Sequence, residues 1–155
     1  PLRSTRDREQ LQESVREGVI NTISSHHHPL DNDAKLGPFA DTSPGISGLE
    51  TLLPLTLKLV DDDELSLQQA IASLTINPAQ ILGLDAGHLT VGTKADICIF
   101  NPGSHCECLP EHFLSAGKNS PFAGWHFSNE VTFTLLNGQI LYEREPNDLL
   151  YSHTS

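Results

Sequence analysis

A helix, a glycine stop and a strand follow one another within the first 23 residues, and this order constrains the fold more than any other feature of the chain. Across residues 5–17, Leu11 and Val15 mark one apolar stripe, Ser4 or Thr5 can cap the N-terminus, and Asp7 and Glu9 suit the first turn. Gly18 is placed to stop that helix, because glycine accepts the left-handed backbone of a helix end without steric cost. The next five residues, Val19 to Ile23, alternate apolar with polar side chains and are rich in β-branched residues, as a strand requires. Helix, short turn and strand is the rhythm of an α/β fold.

Residues 26–45 carry Pro29, Asp31, Asn32, Asp33, Gly37, Pro38, Pro44 and Gly45 and predict one long loop, a feature that is often functional. A second helix is predicted from about Ser47, with Leu49, Leu52, Leu53, Leu57 and Val60 on one face. Pro54 should kink it or shift its start. The run Asp61 to Glu64 reads as a solvated turn at a helix N-terminus, where negative charge is favourable. Ser66 and Gln69 then form a capping box, with Ala70, Ile71 and Leu74 as the buried side of a third helix. Asn77-Pro78 should break it and cap a short fourth helix ending at Gly83.

From residue 87 the texture changes. "HLTVG", "ADICIF", "VTFTLL" and "QILYE" predict short strands, and Asn137-Gly138 between the last two signals a type I′ hairpin. Residues after about Pro146 read as a tail. The expected organisation is α/β over 1–86, a small β unit over 87–145 and a tail over 146–155.

The 155 residues suffice for one domain with a core or for parts of two. A net charge of −11 argues against nucleic acid or an anionic membrane as partner. No apolar run approaches bilayer-spanning length, and Cys98, Cys106 and Cys108 make no disulfide framework, so a reducing cytoplasm is the expected compartment. The chain starts at Pro1 and contains no methionine, which leads us to expect the C-terminal piece of a longer protein.

Seven stretches, in order, carry a resemblance: "PLRSTRDREQL", "INTISSHHHP", "SPGISGLETLLPL", "LTINPAQILGL", "GHLTVGTKADICIFNP", "FLSAGKNSPFAGW" and "TLLNGQILYE". Together they resemble the C-terminal portion of dihydroorotases of the amidohydrolase superfamily. The resemblance implies a metal-dependent (β/α)8 barrel joined to a small β domain built from both chain ends. Helix 5–17 would be the seventh barrel helix, "VINTIS" the eighth strand, and 87–143 the C-terminal share of the β domain. Barrel enzymes keep reactive groups on the loops that follow the strands, so the stretch after Ile23 is where a site is expected.

There the sequence departs from the family. Catalytic dihydroorotases carry Asp-His-x-x-His after the eighth strand; the Asp binds metal and serves as general base, and the last His contacts substrate. His26 stands at the Asp position, His27 at the next His, and Leu30 at the last His, with Pro29 kept. A carboxylate can bind a cation and take a proton at once, whereas a ligating imidazole is neutral and Leu30 offers no hydrogen bond. No catalytic residue and no metal ligand is therefore assigned, His26 serving as a ligand only if the chain belongs to an active enzyme. His26, His27 and His28 leave a strand in alternating directions and do not readily converge on one ion. Pro44 and Gly45 either bring backbone close to a substrate or simply set the start of the next helix. "HCEC" (105–108) reads as loop thiols rather than a zinc site, and Cys98 as packed within its strand. "GKNSPFAGW" lacks the pattern of a phosphate loop; Phe122 and Trp125 are expected to anchor it against the barrel.

"SSHHHP" with "PGISGLETLLPL" is most similar to the non-catalytic dihydroorotase-like chains that assemble with the catalytic chain of aspartate carbamoyltransferase in pyrimidine biosynthesis. The resemblance implies a cytoplasmic, oligomeric pseudoenzyme subunit without cofactor, whose partners are that chain and the N-terminal part of its own barrel. The alternative is an active zinc dihydroorotase with an atypical motif after the eighth strand.

Overall fold

The computed structural model describes residues 3–144, so the expected tail lies outside the described residues. Ser4 caps helix α1 (Thr5–Arg16): its hydroxyl accepts from the Asp7 N–H while the Asp7 carboxylate accepts from the Ser4 N–H. The helix ends at Glu17, and Gly18 turns the chain at φ +75°. None of its residues is buried: Leu11 is 55% exposed and Val15 half-buried, so the stripe predicted from them is only partly covered among the described residues.

Residues 19–23 do not form the expected strand. A strand needs a neighbour for its rows of N–H and C=O groups, and none of the described strands lies beside this segment. Its backbone is held by helices instead: Ile23 N–H donates to Ser73 O at 3.2 Å, and Asn21 O accepts from Asn77 Nδ2 at 2.8 Å.

Helix α2 (Leu52–Asp61) begins at Leu52 rather than near Ser47. Pro54 thus falls in the first turn, where its missing N–H has no intrahelical acceptor to lose. Helix α3 (Leu67–Leu74) carries the predicted capping box between Ser66 and Gln69, and Gln69 Nε2 also donates to Arg16 O at 3.0 Å. In helix α4 (Ile76–Leu82), Thr75 occupies the N-cap and Gly83 the left-handed C-cap at φ +68°. Asn77 is not the cap it was expected to be; its side chain is spent on Asn21. Leu57, Leu65, Ala70 and Ala79 form the buried apolar centre of these helices. The acidic run is more than a solvated turn: Asp62 pairs with Lys58 at 3.0 Å, Glu64 with Arg16 at 3.5 Å, and Asp61 accepts from the Ser128 hydroxyl.

Strands β1 (Ile97–Asn101), β4 (Glu130–Leu136) and β5 (Gln139–Glu143) form an antiparallel sheet in the order β1-β4-β5. Leu136 pairs with Gln139, and the two turn residues between them, Asn137 and Gly138, both have positive φ (+50° and +79°), as a type I′ turn demands. "HLTVG" is not a strand: Leu89 and Val91 are 81% and 100% exposed with no ladder partner. An unanticipated two-stranded ribbon pairs β2 (Cys106–Glu107) with β3 (His126–Phe127) and contacts α2. Cys106 therefore belongs to the ribbon and Cys108, just beyond it, is buried, whereas Cys98 is exposed rather than packed. No helix is long and apolar enough to cross a membrane among the described residues.

Burial pushes the Cys106 thiol up, with a smaller lowering by the Arg144 guanidinium and a smaller raising by Cys108. Burial also pushes the Cys108 thiol up, against a lowering hydrogen bond from Ser120. A raised thiol pKa favours the protonated form in the folded chain. The associated stability is present below the ordinary thiol value of about 8.5 and is lost as pH rises through the raised value. Iodoacetamide should thus label Cys106 and Cys108 more slowly in the native protein than in urea at mildly alkaline pH. Peptide mass spectrometry reads the difference; equal rates in both states would refute the burial argument.

Candidate functional site

Three stretches that are far apart in sequence meet after residue 23. The His28 N–H donates to Ile46 O at 2.8 Å and joins the histidine run to the segment before α2. Asn119 then ties both to the third stretch. Its Oδ1 accepts from the Leu30 N–H at 2.8 Å, its Nδ2 donates to Gly45 O at 3.1 Å, and its backbone O accepts from the Ser47 N–H at 2.9 Å. The buried Ser47 hydroxyl sits between two acceptors, Gly117 O at 2.6 Å and Asn119 Oδ1 at 2.9 Å. Glu50 adds two further contacts, accepting from the Leu114 and Ser115 N–H groups at 2.9 and 3.0 Å.

The glycines allow these backbones to approach. A Cβ on Gly117 would lie 2.6 Å from Leu30 N and 2.7 Å from Pro29 Cβ, closer than real side chains come. Gly45 has φ +133°, and a Cβ there would lie 2.9 Å from His28 Cβ. Gly45 is thus required by its packing against His28. Pro44, beside it, is exposed.

The three histidines have three different surroundings. His26 is exposed and holds a left-handed backbone at φ +43°. His28 is exposed and packs its Cβ on Gly45. His27 is half-buried, and its Nδ1 accepts from both the Gly48 and Leu49 N–H groups, at 3.2 and 3.1 Å. An imidazole with Nδ1 committed as acceptor carries its proton on Nε2 and has no lone pair left for a cation. Metal-binding histidines show the reverse pattern, donating from the second nitrogen to an acceptor. Among the described residues no three His, Cys, Asp or Glu groups are placed to hold a metal ion.

Leu30 is half-buried, its backbone fixed by Asn119. Behind the histidine run lies an apolar cleft of about 220 Å³ lined by Ile23, Ile46, Leu52, Leu55 and Phe122 among others. Phe122 anchors its loop there as expected, and the half-exposed Trp125 packs edge-on against it with ring centroids 5.2 Å apart. Sequence reasoning missed Asn119, Ser47 and Glu50. The one available signal was the polar run Lys118-Asn119-Ser120 set between Gly117 and Pro121.

Residues 2–141 match the amidohydrolase family. The chain is 47% identical over 143 residues, 92% of its length, to a dihydroorotase-like protein of Pseudomonas aeruginosa. It is 40% identical over 145 residues to a dihydroorotase of Syntrophus aciditrophicus. In each case it spans 34% of the relative. Among solved structures it superimposes on the L-hydantoinase (dihydropyrimidinase) of Arthrobacter aurescens with a TM-score of 0.83 at 30% identity, covering 92% of this chain and 33% of that one. The chain belongs to the amidohydrolase family, and its fold is that of the C-terminal third of these barrel hydrolases.

Proposed function

We propose that this member of the amidohydrolase family is the C-terminal portion of a dihydroorotase-like pseudoenzyme, a cytoplasmic subunit without cofactor that supports assembly and activity of aspartate carbamoyltransferase in pyrimidine biosynthesis. One observation carries the reading. At the two positions where the resemblance expects a metal-binding carboxylate and a substrate-binding imidazole, the chain has an exposed His26 and a half-buried Leu30. His27 cannot substitute, because its Nδ1 is held by two backbone N–H groups. Position 26 loses the carboxylate that could bind a cation and take a proton at once, and position 30 loses a hydrogen bond to substrate.

The frame around these positions is nonetheless built. Asn119, Ser47, Gly45 and Gly117 hold the segment in one conformation, an arrangement that a scaffold can use without turnover. The test is co-expression of the intact protein with a carbamoyltransferase catalytic chain. A stable complex on size exclusion, with carbamoyltransferase activity lost when the subunit is withheld, is the expected result. Separate elution of the two with undiminished activity contradicts the proposal.

A second reading is supported by the likeness to a protein named dihydroorotase at 40% identity. In it the intact protein is a zinc-dependent dihydroorotase interconverting N-carbamoyl-aspartate and dihydroorotate, and His26 takes the place of the carboxylate.

A further inference from the structure

The hairpin turn Asn137-Gly138 lies outside the site described above and carries chemistry of its own. The two residues are exposed and both have positive φ. Asparagine followed by glycine can cyclise, because no side chain on the second residue blocks its nitrogen from the asparagine side-chain carbon. Two hydrogen bonds from one neighbouring segment bear on that reaction. Gly138 N, the nucleophile, donates its proton to Ala95 O at 2.9 Å. The Asn137 N–H donates to the Asp96 carboxylate at 2.7 Å.

We infer that Asn137 is a spontaneous modification site whose rate is governed by the Ala95–Asp96 segment. The step balances with water as the only co-reactant. Hydroxide takes the Gly138 N proton and becomes water, the nitrogen bonds to Asn137 Cγ, and the Cγ–Nδ2 bond breaks as water returns a proton to the side-chain nitrogen, which leaves as ammonia; hydroxide is regenerated and a succinimide closes. Water then opens the ring at either carbonyl, giving aspartate or isoaspartate. In the closed turn the Gly138 proton is held by Ala95 O, and the Asp96 carboxylate opposes formation of an amide anion beside it. Reaction therefore waits for the hairpin to part from residues 95–96. The product holds that parting open: either acid places a new negative charge beside Asp96, and isoaspartate also adds a methylene to the main chain of a two-residue turn.

The experiment compares the intact protein with a synthetic peptide of sequence FTLLNGQILY, both kept at mildly alkaline pH and body temperature. Peptide mapping follows the gain of about one dalton at Asn137, and isoaspartyl methylation separates the two products. Deamidation at least about tenfold slower in the protein than in the peptide is the expected result, since only the parted hairpin reacts. Asp96→Ala should narrow the gap, and Asp96→Asn, which keeps an acceptor without the charge, should fall between. A protein rate equal to the peptide rate, or an unchanged rate in Asp96→Ala with folding intact by circular dichroism, would overturn the inference.

Discussion

Gly117→Ala should cost the intact protein about 3 kcal/mol of stability, at the upper end of what overpacking usually costs. The reason is geometric. The added methyl would lie 2.6 Å from Leu30 N, 2.7 Å from Pro29 Cβ and 2.9 Å from Leu30 O, and the first and last of these are backbone atoms that cannot rotate away. Relief requires the 117–119 loop to move off the segment after the histidine run. That movement also strains the contacts of Ser47 with Gly117 O and Asn119. Urea denaturation followed by fluorescence would measure the loss. A change within about 0.5 kcal/mol, typical of an unconstrained surface position, would contradict the packing described here.

Asn119→Ala is expected to destabilise by about 2–3 kcal/mol, because it leaves more than one part-buried backbone group without a partner. The Leu30 N–H and Gly45 O both lose their bonds, and Ser47 Oγ retains only Gly117 O. Asn119→Asp should cost less than alanine at Leu30, where an acceptor survives. At Gly45 O it would set carboxylate oxygen against carbonyl oxygen. The three stretches act as one unit, so Asn119→Ala and Ser47→Ala combined should cost less than the sum of the two. Strict additivity in that cycle would mean that Ser47 and Asn119 do not share a network.

These two positions also mark where sequence reading ended. The Ser66–Gln69 capping box, the helix ends at Gly18 and Gly83 and the Asn137-Gly138 turn were legible because each is decided by neighbours within a few residues. The segment 19–23 has the alternation of a strand yet forms none here. A ladder depends on a second strand, and none of the described strands lies beside this segment. "HLTVG" failed for the same reason, its side chains meeting no partner. Asn119 was illegible because its three partners lie 72, 74 and 89 positions away, a pairing that no local pattern encodes. At the histidine run, residue identity showed what had changed relative to the family resemblance. Only the Gly48 and Leu49 N–H groups at His27 Nδ1 showed that one of the three imidazoles has no lone pair to give.

The central proposal is that this protein does not perform the chemistry for which its barrel is built. The most direct measurement is ring opening of dihydroorotate by the purified intact protein, with zinc supplied. No turnover above the uncatalysed rate, with or without the metal, is the expected result. Zinc-dependent turnover at an enzymatic rate, abolished in His26→Ala, would contradict it and establish that an imidazole at position 26 can replace the carboxylate.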